Sequence, residues 1–424
     1  MSIFSRLLGE RSAVSNSGRI AFASPKAEEK ASRIGGLLAM HSLGRPKWTD
    51  RNYTALAREG FEKNAICYRA IRMVAEAAAS VPWLIFDGRT EIISHPLLDL
   101  LNTPNPREAG PVFLETLFGH LYVSGNAYVE AVSVDGQPKE FYALRPDRIK
   151  VVPGRDGWPE AYEYSVGFDM VRFPANQTPA NQGFCPILHL KLFHPLDDYY
   201  GLSPLNAAQK ALDVHNSASA WNKALLDNAA RPSGALVYTS QNGATLSQEQ
   251  FDRLKAELEE SYEGARNAGR PLILEGGLDW KALSMSPKDM DFMEAKASAA
   301  REIALAMGVP PLVLGLPGDN TFANYAEANK AFWRQTVIPL IARTQKAFAT
   351  WLAPVYGPNI RLDYNVDRIE ALASDRAAEW ARIDAASFLT QDEKREAAGY
   401  GASAKPPETA KPLGTAKPPA NAKP

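Results

Sequence analysis

Residues 289–352 read DMDFMEAKASAAREIALAMGVPPLVLGLPGDNTFANYAEANKAFWRQTVIPLIARTQKAFATWL, a helix, a breaker and a second, longer helix. Apolar residues recur at helical spacing up to Met307, and Gly308-Val309-Pro310-Pro311 ends the run. A Gly- and Pro-rich loop follows, Gly315-Leu316-Pro317-Gly318-Asp319-Asn320-Thr321-Phe322-Ala323-Asn324. An amphipathic segment then extends to Trp351 with one internal proline, Pro339. Proline removes a backbone donor and crowds the preceding turn, so a kink is expected there. Two long helices joined by a mobile loop suit a machine that presents loops to a moving ligand better than an enzyme pocket.

Working outward, the 424 residues suffice for two or three domains and a sizeable core. Hydrophobic residues make up 45% and charged residues 22%, a globular composition. The net charge of −1 excludes a chain that grips nucleic acid by wholesale phosphate neutralisation. The two cysteines, Cys67 and Cys185, form no C-x-x-C pair. Cys67 lies in an apolar helical pattern and reads as a buried free thiol, which suits a reducing compartment. No uncharged run is long enough for a membrane span.

Residues 1–45, rich in Gly, Ser and alternating charge, are expected to be a loose arm. A helix is predicted over 62–80, with Ile66, Ala70, Val74, Ala77 and Ala78 on one face. Two hairpins follow, turning at Asp87-Gly88 and Asp135-Gly136, with an apolar turn at His95-Pro96 and a helix over Val112–Tyr122 between them. Strands at Arg148–Val152, Tyr162–Val166 and Ile187–Phe193 complete a mostly antiparallel region. Ser203-Pro204 opens a helix to about Ala230. A small α/β unit comes next, with strands at Gly234–Thr239, Leu272–Leu274 and near Trp280. Its helix, Ser247–Glu263, starts with a Ser247/Gln250 capping box and carries an acidic surface with Glu257, Glu259, Glu260 and Glu263. A strand at Asn359–Tyr364 and a helical region with Ser374 and Thr390/Glu393 as caps close the folded part. From Ser403, Lys405, Lys411, Lys417 and Lys423 recur every six residues, each followed by Pro, as in a polyproline-like or disordered tail.

Chemistry-bearing patterns are missing from the sequence. The six histidines make no metal-ligand spacing, and no G-x-S-x-G, P-loop or G-x-G-x-x-G occurs, so ATP hydrolysis by a P-loop falls to another protein. His194 with Asp197 and Asp198 is the nearest thing to a constellation. An α+β hydrolase built on His189, His194 and Asp197 stays open at this point, as does a scaffold without a channel.

Several stretches, in order, resemble the portal proteins of tailed double-stranded-DNA bacteriophages of the long-tailed type, and the related portals of gene transfer agents. They are Asn64-Ala65 with Val81-Pro82-Trp83; His95-Pro96-Leu97-Leu98 with Pro104-Asn105; Gly125-Asn126-Ala127-Tyr128; His189 with Tyr200-Gly201-Leu202-Ser203-Pro204-Leu205; Arg231-Pro232-Ser233-Gly234; Gly308-Val309-Pro310-Pro311; and Asn324-Tyr325 through Pro339. The resemblance implies an α+β portal fold, no enzymatic activity, no cofactor and no metal. It implies a ring of about twelve subunits around a DNA channel, closed by head-to-tail contacts. It further implies a wing (46–203, with 323–366 adding the kinked helix and a strand), stem helices (204–230 and 289–308), a clip (231–288), a tunnel loop (309–322) and a crown (367–402), with a tail from 403 to 424. The implied partners are double-stranded DNA, bound without sequence preference, terminase, a head–tail adaptor and the major capsid protein. On that reading Gly315, Pro317, Gly318, Asp319, Asn320, Thr321, Phe322 and Asn324 approach the DNA. Asp291, Glu294, Ser298 and Arg301 form a stem stripe that faces the channel or a neighbouring stem helix, with a simple solvated face as the alternative. The acidic helix is a docking face or simply a solvated one.

Overall fold

The computed structural model describes residues 48–88, 90–175, 184–227, 234–238, 247–262, 278–282, 292–318 and 321–400. A short helix α1 (Tyr53–Leu56) runs into a π-helical turn at 57–62, and Asn64 then caps α2 (Ala65–Ala79) by accepting from the N–H groups of Ile66 and Cys67. The helix predicted over 62–80 therefore begins at Ala65, where an Asn side chain can satisfy the free amides of its first turn. Strands β1 (Trp83–Asp87) and β2 (Thr90–Ile92) form the first hairpin. The residues after His95 are more than an apolar turn. His95 accepts from the Leu97 N–H, and α3 (Pro96–Asn102) follows with proline at its start. Next come α4 (Gly110–Ser124) and the second hairpin, β3 (Asn126–Val134) with β4 (Gln137–Leu144). Asp135 and Gly136 both take positive φ, as a two-residue hairpin turn requires.

Strands β5 (Ile149–Pro153), β6 (Pro159–Val166) and β7 (Asp169–Pro174) make one antiparallel sheet, while β8 (Ile187–Lys191) pairs with β3. Strand β7 is additional to the strands expected from sequence. The helix opened by Ser203-Pro204 is split into α5 (Pro204–Ala207) and α6 (Gln209–Asp227), and its expected end lies outside the described residues. In the α/β unit, β9 (Gly234–Tyr238) pairs antiparallel with β10 (Leu278–Ala282), and the Ser247/Gln250 capping box is present at α7 (Gln248–Tyr262). The expected strand Leu272–Leu274 lies outside the described residues.

Helix α8 (Phe292–Ala306) packs along α6. Its 15 described residues span about 22 Å, and the expected start at 289–291 lies outside the described residues. Helix α9 (Phe322–Phe332), a π-helical turn at Trp333–Val337 and α10 (Ile338–Tyr356) form the long element, and β11 (Ile360–Tyr364) returns to pair with β1 in the order β11-β1-β2. Helices α11 (Ala373–Asp384) and α12 (Gln391–Ala397) complete the described chain. Thr390 and Glu393 make the expected capping box. Ser374 does not cap; it sits inside the first turn of α11, behind Leu372 at the cap position.

The main core gathers α2, α4, α8, α10 and the β3 sheet around Phe113, Leu117, Phe118, Phe141, Ile303 and Phe348. Trp83, Phe141 and Trp351 ring Phe348 with centroids 5.5–6.0 Å away, edge-on or tilted as aromatic quadrupoles prefer. A second, smaller core of Tyr128, Leu144, Ile149, Val151, Tyr162 and Ile187 lies between the β3 and β6 sheets.

Candidate functional site

The loop between α8 and α9 is built from its ends inward. Past α8, the Gly308 N–H bonds the Leu305 carbonyl and the Val309 N–H bonds the Ala304 carbonyl, the paired bonds of a Schellman stop. Gly308 takes φ +69°, and its carbonyl accepts from the Thr336 hydroxyl in the π turn. The next residues wind rather than wander. Val313 and Leu314 bond back to Pro310, Gly315 to Leu312 and Leu316 to Pro311, a second stop of the same kind with Gly315 at φ +78°. Val309 is buried, and Val313 and Leu314 pack on the main core. Half of the segment expected to be a mobile loop is thus a pinned turn, because two apolar residues at adjacent positions anchor it.

The tip narrows to the residues between Leu316 and Thr321. Pro317 and Gly318 are exposed, while Asp319 and Asn320 lie outside the described residues. Thr321 is the N-cap of α9 and accepts from the Asn324 N–H, so Phe322 and Asn324 belong to the first helical turn. Pro339 is the second residue of α10, and the structure places a widened π turn, Trp333–Val337, just before it. Helix α9 and the π turn are tied to α11, by Lys330, 3.4 Å from the Asp375 carboxylate, and by Arg334, which bonds the same carboxylate. That tie has a weak sequence trace, two cations four residues apart, but nothing in the sequence names their partner.

On α8, Ala299, Ile303 and Met307 are buried, while Glu294, Ser298, Arg301 and Leu305 line the exposed side; Asp291 lies outside the described residues. Arg301 is not simply solvated: its guanidinium donates to the Pro317 carbonyl at 2.8 Å, holding the tip against the helix. Glu257, Glu259 and Glu260 fall on α7, and Glu263 lies outside the described residues.

The stretches that carried the family resemblance prove to be joints. Asn126 is the clearest. Its Oδ1 accepts from the Gly201 N–H at 2.7 Å, and its Nδ2 donates to the Ser124 and Gly201 carbonyls at 3.0 and 3.3 Å. Because Oδ1 must be the acceptor for Gly201, the His189 Nε2 that faces it at 3.0 Å carries a proton and donates. Gly125 (φ +78°) and Gly201 touch so closely that a Cβ on either would lie 2.1–2.5 Å from the other's carbonyl. Ser203 caps α5 and donates to the Tyr122 carbonyl at 2.7 Å. Asn64 likewise reaches across to His215 and Asn216 on α6, at 3.0 and 2.8 Å.

The hydrolase reading fails on the same geometry. His189 is stacked on Tyr128 with centroids 4.3 Å apart, and burial lowers its pKa to about 3. His194 accepts from the Leu196 N–H, and Asp197 accepts from the N–H groups of Tyr199 and Tyr200, so both serve the loop they sit in. His120, bonded to the Tyr53 hydroxyl at 3.1 Å, is pushed down to about 4 by burial. Burial pushes the Cys67 thiol up to about 12, an inert packed sulfur. Among the described residues, no group of three or more His, Cys, Asp or Glu is placed to hold a metal, and no helix is long and apolar enough to cross a membrane.

The model of the family described as "Phage portal protein" matches residues 65–399. The chain belongs to the phage portal protein family. This is a family of structural proteins rather than enzymes. A relative from Rickettsia bellii, described as "Uncharacterized protein", is 42% identical over 80% of this chain and 88% of its own. Among solved structures, a chain of "Neck of empty GTA particle computed with C6 symmetry" is 50% identical, covers 85% of this chain and 96% of that one, and superposes with a TM-score of 0.65. A chain of "Neck of native GTA particle computed with C12 symmetry" is also 50% identical over 85% of this chain and 96% of its own, with a TM-score of 0.63. The portal fold of this chain is therefore α+β, and the residues that carried the resemblance serve as caps, turns and helix–sheet joints.

Proposed function

We propose that this chain is the portal subunit at one vertex of a phage-like particle, of the gene-transfer-agent kind, where copies close into a ring of about twelve around a DNA channel. The observation that carries it is the 50% identity, over 85% of the chain, with a subunit of a particle neck resolved with C12 symmetry. The ring would pass double-stranded DNA during packaging and ejection, meet the major capsid protein, and offer its 231–288 unit first to the terminase and then to a head–tail adaptor. The near-zero net charge supports a bore that lets DNA slide, because each neutralised phosphate adds affinity.

Within that reading the tip around Pro317, Gly318, Asp319 and Asn320 is the part of the 309–322 loop that meets the DNA backbone, with Thr321, Phe322 and Asn324 holding the start of α9 behind it. Glu294, Ser298 and Arg301, with Asp291, would line the stem. The exposure of this stripe, opposite the buried Ala299 and Ile303, supports it. Glu257, Glu259, Glu260 and Glu263 would form the docking face for a basic partner, where charge complementarity sets partner choice more than affinity.

Negative-stain imaging and native mass measurement of the purified chain test the ring; a chain that stays a single subunit at every concentration sinks it. Deleting residues 317–321 should impair DNA retention with rings intact. Loss of rings on that deletion would make the tip structural.

A further inference from the structure

Among the described residues, Ile369 and Leu372 are the last of the chain to be buried in the main core. Helix α11 leaves Leu372 without a side-chain cap, and neither α11 nor α12 contains a buried residue. Charge takes over from apolar packing at this point. Asp375, in the first turn of α11, meets Arg334 and Lys330 of the long element. Beside it, Arg376 is only 15% exposed and donates in three directions. Its Nε reaches the Asp367 carboxylate at 2.9 Å, and its terminal nitrogens reach Glu379 and the Ala398 carbonyl, each at 2.8 Å. Asp367 lies in the short turn at 366–368, on the core side of Leu372, and its second oxygen accepts from the Tyr400 hydroxyl. Lys394 fastens the two helices to each other through the Asp384 carbonyl at 2.6 Å. The segment 373–400 is thus tied near its start by Asp375 and at its end through Arg376 and Asp367.

We propose that residues 373–400 are a latched strap that detaches as one unit beyond Leu372 when ionic strength rises, the latch being Asp375 on Lys330 and Arg334 together with Arg376 on Asp367. This inference stands whether or not the ring reading does. A segment without a buried residue draws little from the hydrophobic effect, so its attachment rests on polar ties. Ties between partly exposed charges are individually weak. They are screened further as the Debye length shrinks from about 10 Å at 0.1 M salt to about 3 Å at 1 M. Segments held in this way open locally while the rest of the molecule stays folded. Detachment leaves Arg334 without its carboxylate partner and Lys330 with Glu327 alone, 3.2 Å away. The shut strap therefore neutralises a basic stretch of the long element that the open strap bares.

Hydrogen exchange on the full chain tests the latch, because detached helices of 12 and 7 residues are too short to persist in water and lose their amide protection. In about 0.05 M NaCl, where screening is slight, Asp375→Asn removes two exposed pairs and should lower protection of α11 and α12 by between about 2- and 30-fold. Helices α2 and α4, inside the main core, should exchange as in the parent. Raising NaCl to about 1 M should produce a similar loss in the parent and a smaller one in the variant. Exchanging the charges, with Asp375→Arg, Lys330→Glu and Arg334→Glu together, should restore protection at low salt. Protection of α11 and α12 that ignores both salt and Asp375→Asn overturns the latch. Loss of protection in α11 and α12 at different salt concentrations overturns the single strap, and a loss that extends to α2 and α4 overturns local opening.

Discussion

Replacing Asn126 with alanine tests the claim that the residues carrying the family resemblance are joints rather than reactive groups. Asn126 is only 6% exposed and joins three segments through four hydrogen bonds. Alanine leaves the Gly201 N–H and the His189 Nε2–H without their acceptor, and the Ser124 and Gly201 carbonyls without that donor. A buried group stripped of its partner costs about 1–3 kcal/mol, so the two donors alone set a range of about 2–6 kcal/mol. At roughly 2–4 °C per kcal/mol for a large domain, the melting temperature should fall by between roughly 4 and 24 °C. Scanning fluorimetry or calorimetry at one fixed protein concentration reads this, since assembly adds its own concentration-dependent stability. Asn126→Asp is the informative companion. It keeps an acceptor for Gly201 and His189 but loses both donated bonds, and its carboxylate would raise the His189 pKa. An alanine variant that melts within 2 °C of the parent would refute the joint and return Asn126 to an ordinary strand position.

Two further outcomes follow from buried groups and backbone geometry. The folded-state pKa values of His120 and His189 lie near 4 and 3, below the ordinary 6.5, so the unfolded chain takes up their protons more readily. Their contribution is complete above pH 6.5 and declines as pH falls towards the folded values; between pH 7.5 and 5.0 each should remove about 2 kcal/mol. Denaturant midpoints measured across that interval check this, and a flat profile, or one unchanged by His189→Phe, counts against it. Gly308→Ala forces a non-glycine residue to φ +69° and sets a Cβ 2.8 Å from the Thr336 hydroxyl, for a cost of about 1–3 kcal/mol. Adding Thr336→Ala should recover the crowding but not the backbone strain. Full recovery in urea unfolding would show that strain is not the cause.

Local order in the chain was sufficient for many of the elements. Asp135-Gly136 announces its hairpin because a two-residue turn needs two residues that tolerate positive φ, and Thr390 with Glu393 announces α12 because both halves of the capping box lie only three residues apart. Cys67 could be placed inside because α2 shows its apolar spacing plainly. Where two local signals compete, sequence is a poor guide. Ser374 looks like a cap, but α11 starts two residues earlier than that cap implies, behind Leu372, and β7 hides because its exposed residues break the alternation that marks a strand. The remaining features join residues that the chain holds far apart. Strand β11 completes the sheet of β1 across more than two hundred residues, Arg301 reaches the Pro317 carbonyl, and Arg334 finds Asp375. No spacing rule connects such pairs, because their partners are chosen by how helices and sheets stack. Apolar alternation over Tyr162–Val166 marks one face of β6, but only the folded chain reveals that Tyr162 on that face is buried while Val166 is half exposed.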